Sequence, residues 1–214
     1  MPRQMPSLQA EFDRQAAEAM KLAEIGEIAR AEAGAESQTR RLFHHSRVEL
    51  LYELAFLRMF IAWEGFLEQV FLRYLCGYVS RHGTAIPQAA VSLSPTLAHA
   101  EAVVLAGKDY VLWHNPVLVA DRCQRMFQTC TMETVLRSST ARLEAFAAVR
   151  HRIAHAQADA RRKFDAATMV IAGRRYKGGR PGAFLRDRDP SATPQLRWLE
   201  LLGTELQGLA SQIA

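Results

Sequence analysis

Residues 54–75 read LAFLRMFIAWEGFLEQVFLRYL, apolar on nearly every side and interrupted only by Arg58, Glu64, Glu68 and Arg73. The run is long enough to span a bilayer, but charges spaced through it argue against lipid and for protein on all sides. A helix that is hydrophobic all round belongs in the middle of a helical bundle. The apolar character begins at Val48, after a polar stretch over 37–45, so 36–81 reads as one long helix or two joined. Helix formers dominate elsewhere, with only eight Pro and twelve Gly in 214 residues. The class expected is therefore all-α, a helical bundle with one sizeable core.

Working outward from that run, 7–33 reads as an alanine-rich helix, with Ser7 as N-cap and Gly34 as stop. Its apolar face is thin: Leu8, Phe12, Met20, Leu22 and Ile25. The segment 81–94 reads as a loop punctuated by Gly83, Pro87 and Ser92. A short helix follows over 95–106, then a strand or extended link over 110–113. Asn115-Pro116 opens a helix over 116–127, with Pro in its first turn. Thr131 or Thr134 opens the next. The last stretch, 194–214, is amphipathic through Leu196, Trp198, Leu199, Leu202, Leu206, Leu209 and Ile213. Three segments result: an N-terminal helix over 1–35, a helical core over 36–172, and a basic loop with a closing helix over 173–214.

Chemistry concentrates in Arg150-His151-Arg152-Ile153-Ala154-His155. Read as one helix over 141–164, Phe146, Val149, Ile153, Ala156, Ala160 and Phe164 recur at steps of three and four and form the buried stripe. At roughly 100° per residue, Arg150, His151 and His155 fall within an arc of about 140° beside that stripe, at the edge of the core. A guanidinium offers a planar fork suited to phosphate, and an imidazole exchanges protons near neutral pH. A solvated helix face is the plain alternative. On one continuous helix His151, His155 and Asp159 would share a face and suit a divalent metal. Arg150, Arg152, Arg161 and Arg162 surround that face with positive charge, so no metal is assigned. Glu64, in its apolar setting, needs a partner, and the motif helix is one candidate to supply it.

The motif residues Arg150, His151 and His155, the earlier Trp63-Glu64-Gly65-Phe66-Leu67 and the late Gly182-Ala183-Phe184-Leu185-Arg186 together resemble the HEPN superfamily, in particular its RiboL-PSP-associated branch. The likeness spans most of 40–214. It implies a HEPN-like bundle and a metal-independent endoribonuclease of toxin or antiviral-defence type. It also implies a homodimer whose two motifs face each other across a cleft, with a possible antitoxin or defence-system partner. Gln157 stands where some HEPN toxins carry a modifiable Tyr, which puts that mode of neutralisation in doubt. Trp63, Phe66 and Phe71 exceed what one helix face needs, which agrees with a dimer. The alternative within the same resemblance is a non-catalytic module that binds RNA or nucleotides.

Charge points the same way. Residues 150–188 hold eleven Lys or Arg against three Asp, a surplus of +8, so the rest of the chain carries −3 of the net +5. A basic block on a slightly acidic body suits a polyanion, although 23 of the 27 basic residues are Arg, a bias that base composition alone can produce. The candidate RNA contacts are Arg152, Arg161 and Arg162, then Arg174, Arg175, Tyr176, Lys177 and Arg180 in a glycine-rich arm read as mobile, with Tyr176 stacking on a base. In the cleavage reading His155 moves the proton, Arg150 holds the non-bridging oxygens and His151 donates a hydrogen bond or second proton, with Glu64 in support. The neighbouring arginines are expected to favour the neutral form of each His. No cofactor is implied. Three cysteines without a Cys-x-x-Cys pair fit a reducing cytoplasm, and 1–15 lack a signal-peptide core. No Walker-type phosphate loop occurs.

Overall fold

The computed structural model describes residues 3–82, 85–176 and 178–214. About 67% of the chain is helix and 6% strand, with ten helices among the described residues and no closed sheet. The all-α expectation therefore holds, and no helix among the described residues is long and apolar enough to cross a membrane. The helices are α1 (Leu8–Glu32), α2 (Gln38–Leu42), α3 (His45–Leu75), α4 (Leu97–Leu105), α5 (Pro116–Met126), α6 (Thr131–Ser138), α7 (Thr140–Ala154), α8 (Ala158–Ala172), α9 (Pro181–Arg186) and α10 (Trp198–Ile213). Two small sheets join them. Strand β1 (Arg3–Gln4) pairs in parallel with β2 (Tyr78–Val79), and β3 (Ile86–Pro87) pairs antiparallel with β4 (Phe127–Thr129). Part of the expected 81–94 loop is thus strand, whereas 110–113 contains none. Gly83 lies outside the described residues.

Local rules explain most boundaries. Ser37, Thr96 and Asn115 accept hydrogen bonds from the N–H groups of Arg40, His99 and Leu118, so each caps the helix it precedes. Pro116 and Pro181 occupy first turns, where a missing N–H costs nothing. Gly173 takes φ 65° and ends α8 with its N–H on the Met169 carbonyl.

The chain forms two compact units, each built from distant segments. The first comprises Met1–Phe12, Trp63–Glu144 and Leu206–Ala214. Its core is aromatic. Phe71 meets Trp113 and Phe127 edge-on at centroid distances of 5.6 and 5.3 Å. Trp113 donates to Glu68 Oε1 at 3.0 Å and lies under the Arg122 guanidinium. Tyr74 donates to the Ile213 carbonyl at 2.7 Å, and burial pushes its hydroxyl up to about 12. Trp63 stacks on Phe66, and both touch Phe12. These residues and Phe71 are buried within their own chain, so they are not the dimer surface expected of them.

The second unit comprises Asp13–Ala62 and Ala145–Glu205. Along α1 the buried positions there are Ala16, Ala19, Ala23 and Gly26, while Ile25 is 58% exposed. The buried face of α1 is thus an alanine ridge. A Cβ on Gly26 would meet Leu51 at 2.5 Å, which shows how closely α1 approaches α3. Phe184 stacks on Trp198 and meets Phe164 and Tyr176 edge-on. The carboxylate of Glu27 accepts from Tyr52 Oη at 3.0 Å and from Arg186 Nε and Nη2 at 2.8 and 3.1 Å, with Arg197 Nη1 at 3.2 Å. Four helices meet on that one side chain: α1, α3, α9 and, through the residue just before its start, α10.

The expected single helix over 141–164 is two. Helix α7 stops at Ala154, and α8 starts at Ala158 after an extended Gln157. No Gly or Pro marks this break. A tertiary tie marks it instead: the Arg152 guanidinium donates to the His155 carbonyl at 2.9 Å and to the Gly179 carbonyl at 3.0 Å. The stripe survives at Phe146, Val149, Ala160 and Phe164, but Ala156 is exposed.

The start of α9 lies directly against α3. Gly182 donates its N–H to Glu53 Oε1 at 2.9 Å, and a Cβ there would overlap the backbone of Glu49. Gly182→Ala is therefore expected to destabilise the protein by about 1–3 kcal/mol through overpacking. Gly208→Ala, where a Cβ meets open space on α10, should stabilise it by about 0.5–1 kcal/mol. Urea unfolding of the two variants beside the parent checks both signs.

Candidate nucleic-acid interface

The end of α7 carries the motif. His155 is exposed just past the helix, its N–H still bonded to the His151 carbonyl at 3.0 Å. The two imidazole rings lie 4.5 Å apart, centroid to centroid. Burial holds His151 below the ordinary histidine value, helped by His155 and Lys163 and then by Arg150, with Asp159 opposing. Burial, rather than the arginines, is the leading cause.

His155 opens on a groove of about 330 Å³, with Arg152, Arg180, Glu49, Glu53 and Leu50 among its walls. Arg150, half-buried on the preceding turn, is not among the lining residues. The structure thus sets His155, Arg152 and Arg180 on the groove, with His151 against the His155 ring, and leaves both His151 and the Arg150 guanidinium off its lining. Glu64 belongs to the other unit, where His114 Nδ1 stands 3.9 Å from its Oε2.

The basic arm differs from the mobile one expected. Tyr176 Oη donates to Asp187 Oδ2 at 2.9 Å and accepts from Trp198 Nε1 at 3.0 Å. Its ring meets Phe184 edge-on at 4.9 Å and lies under the Arg174 guanidinium. That ring is already engaged on both counts, so it is not an open platform for a base. Arg174 pairs with Asp187 at 2.7 Å, Arg180 with Glu49 at 3.2 Å and Arg162 with Asp159 at 3.1 Å. Carboxylates close in space offset three of the candidate phosphate contacts; Asp159 and Asp187 lie within the basic block itself, whereas Glu49 comes from α3 and meets Arg180 only in the fold. Arg161 lies over Gly179, Arg175 is exposed, and Lys177 lies outside the described residues.

The break after α7 also removes the geometry behind the metal alternative. Asp159 sits on α8, bound by Arg162 and Lys163, whose hydrogen bonds hold its carboxyl below the usual range. No cluster of three His, Cys, Asp or Glu suited to a metal occurs among the described residues.

Sequence reasoning missed Glu49 and Glu53, one turn apart on α3 and both facing the groove. Their i, i+4 spacing at the start of an apolar run was the available signal. It missed His45 as well, whose ring nitrogens stand 2.8 Å from Arg30 Nη2 and 2.7 Å from Arg186 Nη1. No family model, curated protein or solved structure matches the chain.

Glu53 gives a test of this electrostatic setting. Burial raises its pKa, opposed by the Gly182 N–H and assisted by Glu49. A carboxyl raised on folding favours the protonated folded state, so its contribution worsens as pH rises from the unfolded value toward the folded one. Glu53→Gln keeps an acceptor for Gly182 and removes the buried charge. The variant should match the parent in acid and gain thermal stability over it toward neutral pH. Melting curves from pH 4 to pH 8 check this; a variant less stable at neutral pH would contradict it.

Proposed function

We propose that the protein is a metal-independent endoribonuclease of HEPN type, acting as a homodimer, with RNA cleaved by attack of its own 2′-hydroxyl. The observation that carries the reading is the close His151–His155 pair, of which His155 lines a groove walled by Arg152 and Arg180. One neutral imidazole accepts the 2′-hydroxyl proton, and the 2′-oxygen bonds to phosphorus. The P–O5′ bond breaks, and an imidazolium protonates the departing 5′-oxygen. The products are a 2′,3′-cyclic phosphate and a 5′-hydroxyl. Guanidinium groups stabilise the charge gathered on the non-bridging oxygens.

The homodimer has support on α3. Leu50, Leu54 and Ile61 are 60, 47 and 53% exposed and recur at helical spacing, with Leu50 itself in the groove wall. An apolar stripe left open beside a charged groove suits a second copy. That copy would bring its own Arg150 and His155 toward the first. A toxin or antiviral-defence setting, with an antitoxin or defence-system partner, follows from the HEPN resemblance alone.

The non-catalytic alternative draws on one observation, the absence of Arg150 from the groove that His155 lines. Incubation with labelled single-stranded RNA in EDTA separates the two. Cleavage to cyclic-phosphate ends, lost by about 10²-fold or more in His155→Ala and strongly reduced in Arg150→Lys, supports the nuclease. Binding without cleavage supports the module, and a strict requirement for added metal overturns the mechanism. Leu54→Asp should weaken self-association by about tenfold or more, roughly 1.4 kcal/mol, and reduce cleavage with it. Sedimentation of a monomeric parent that still cleaves would remove the dimer from the scheme.

A further inference from the structure

His45, the first residue of α3, has both ring nitrogens within hydrogen-bond distance of a guanidinium. A neutral imidazole has one N–H and one lone pair, so it accepts from one of these groups and sets a donor against the other. A protonated one would set an N–H donor against each of them. In either state the cluster has more donor hydrogens than acceptors.

The guanidiniums are not there by drift. Arg186 is fixed by its two bonds to Glu27, which leaves Nη1 presented to the ring. Arg30 is fixed by donation from Nη1 to the Phe43 carbonyl at 2.9 Å, which presents Nη2 from the other side. The nearby carboxylates are committed. Glu27 serves Arg197 as well as Arg186, and Glu49 is paired with Arg180. Arg186 also borders a cavity of about 320 Å³ that Arg188 and Arg197 help to line. Two anchored guanidiniums thus bracket an exposed, titratable ring, and donors outnumber acceptors around it.

We propose that Arg30, His45 and Arg186 form a binding site for a phosphate monoester dianion, either free phosphate or the terminal phosphate of a nucleotide chain. Arg30 and Arg186 flank the ring on opposite nitrogens, so a phosphate drawn in beside them exchanges donor–donor contacts for charge-assisted hydrogen bonds, which are the strong ones. Burial, Arg30, Arg186 and His44 favour neutral His45, while Glu49 opposes them; a bound dianion reverses the balance and draws a proton onto the ring. The site uses residues distinct from His151 and His155, so it stands or falls apart from RNA cleavage.

The test follows the His45 imidazole by nitrogen-edited NMR in the full chain. The probes are inorganic phosphate and one short RNA with and without a 5′-phosphate. The site predicts that His45 moves to the imidazolium pattern on titration, and that Arg30→Gln and His45→Gln each weaken binding by about tenfold or more. His155→Ala should leave it unchanged. Tighter binding of the phosphorylated RNA than of its unphosphorylated twin assigns the terminal phosphate as ligand; a response to inorganic phosphate alone assigns the free ion. The proposal is overturned if His45 answers none of these probes, or if folded Arg30→Gln, checked by circular dichroism, binds them as well as the parent.

Discussion

The carboxylate of Glu27 is the constraint on which the second unit depends. It lies partly buried, which by itself would favour the protonated acid, yet hydrogen bonds from Arg186 and Tyr52 and the charge of Arg197 hold it below the ordinary value. A charge removed from water is tolerable when its lone pairs are filled and its sign is matched, and here both conditions are met by side chains from separate elements. Removing any one of them leaves the others poorly compensated. That coupling fixes α9 and the start of α10 against α1 and α3, and so fixes where Arg180, Pro181 and Gly182 stand.

From that anchorage the groove follows. Gly182 closes on Glu49 and Glu53 because it has no Cβ, and the Gly179 carbonyl reaches the Arg152 guanidinium. Arg152 in turn holds the His155 carbonyl at the place where α7 ends. The groove beside His155 is therefore built from α3, the α7–α8 break and the segment entering α9. The same Arg186 that binds Glu27 faces His45, so one structural ion pair orients a donor toward a second charged cluster. In this unit stability and surface chemistry share side chains.

Much of the helical order was legible. Asn115 and Pro116 act through their own side chain, backbone or the next turn, and such local effects survive any change of partner. The long apolar run became α3 because few other structures bury a chain that is greasy on all sides. The misreadings share a cause. The helix expected through 141–164 ends early because a side chain from its last turn finds a carbonyl twenty-seven residues later. The arm expected to be mobile is tied down because Tyr176 meets Asp187 and Trp198. Met20, Leu22 and Ile25 of α1 proved less buried than Ala16, Ala19 and Ala23, because close approach to α3 rewards small side chains there.

The sequence by itself determined the helical class, the ends of α1, α4 and α5 to within two residues and the crowding of Arg and His near 150–155, since these follow from propensity, capping and spacing within a few residues. Only the tertiary structure decided which cations keep an exposed charge and which carboxylates join the groove. Electrostatic partners are chosen by distance through space, and positions such as Glu49 and Arg180 or Glu27 and Arg186 meet only after the chain has folded back on itself.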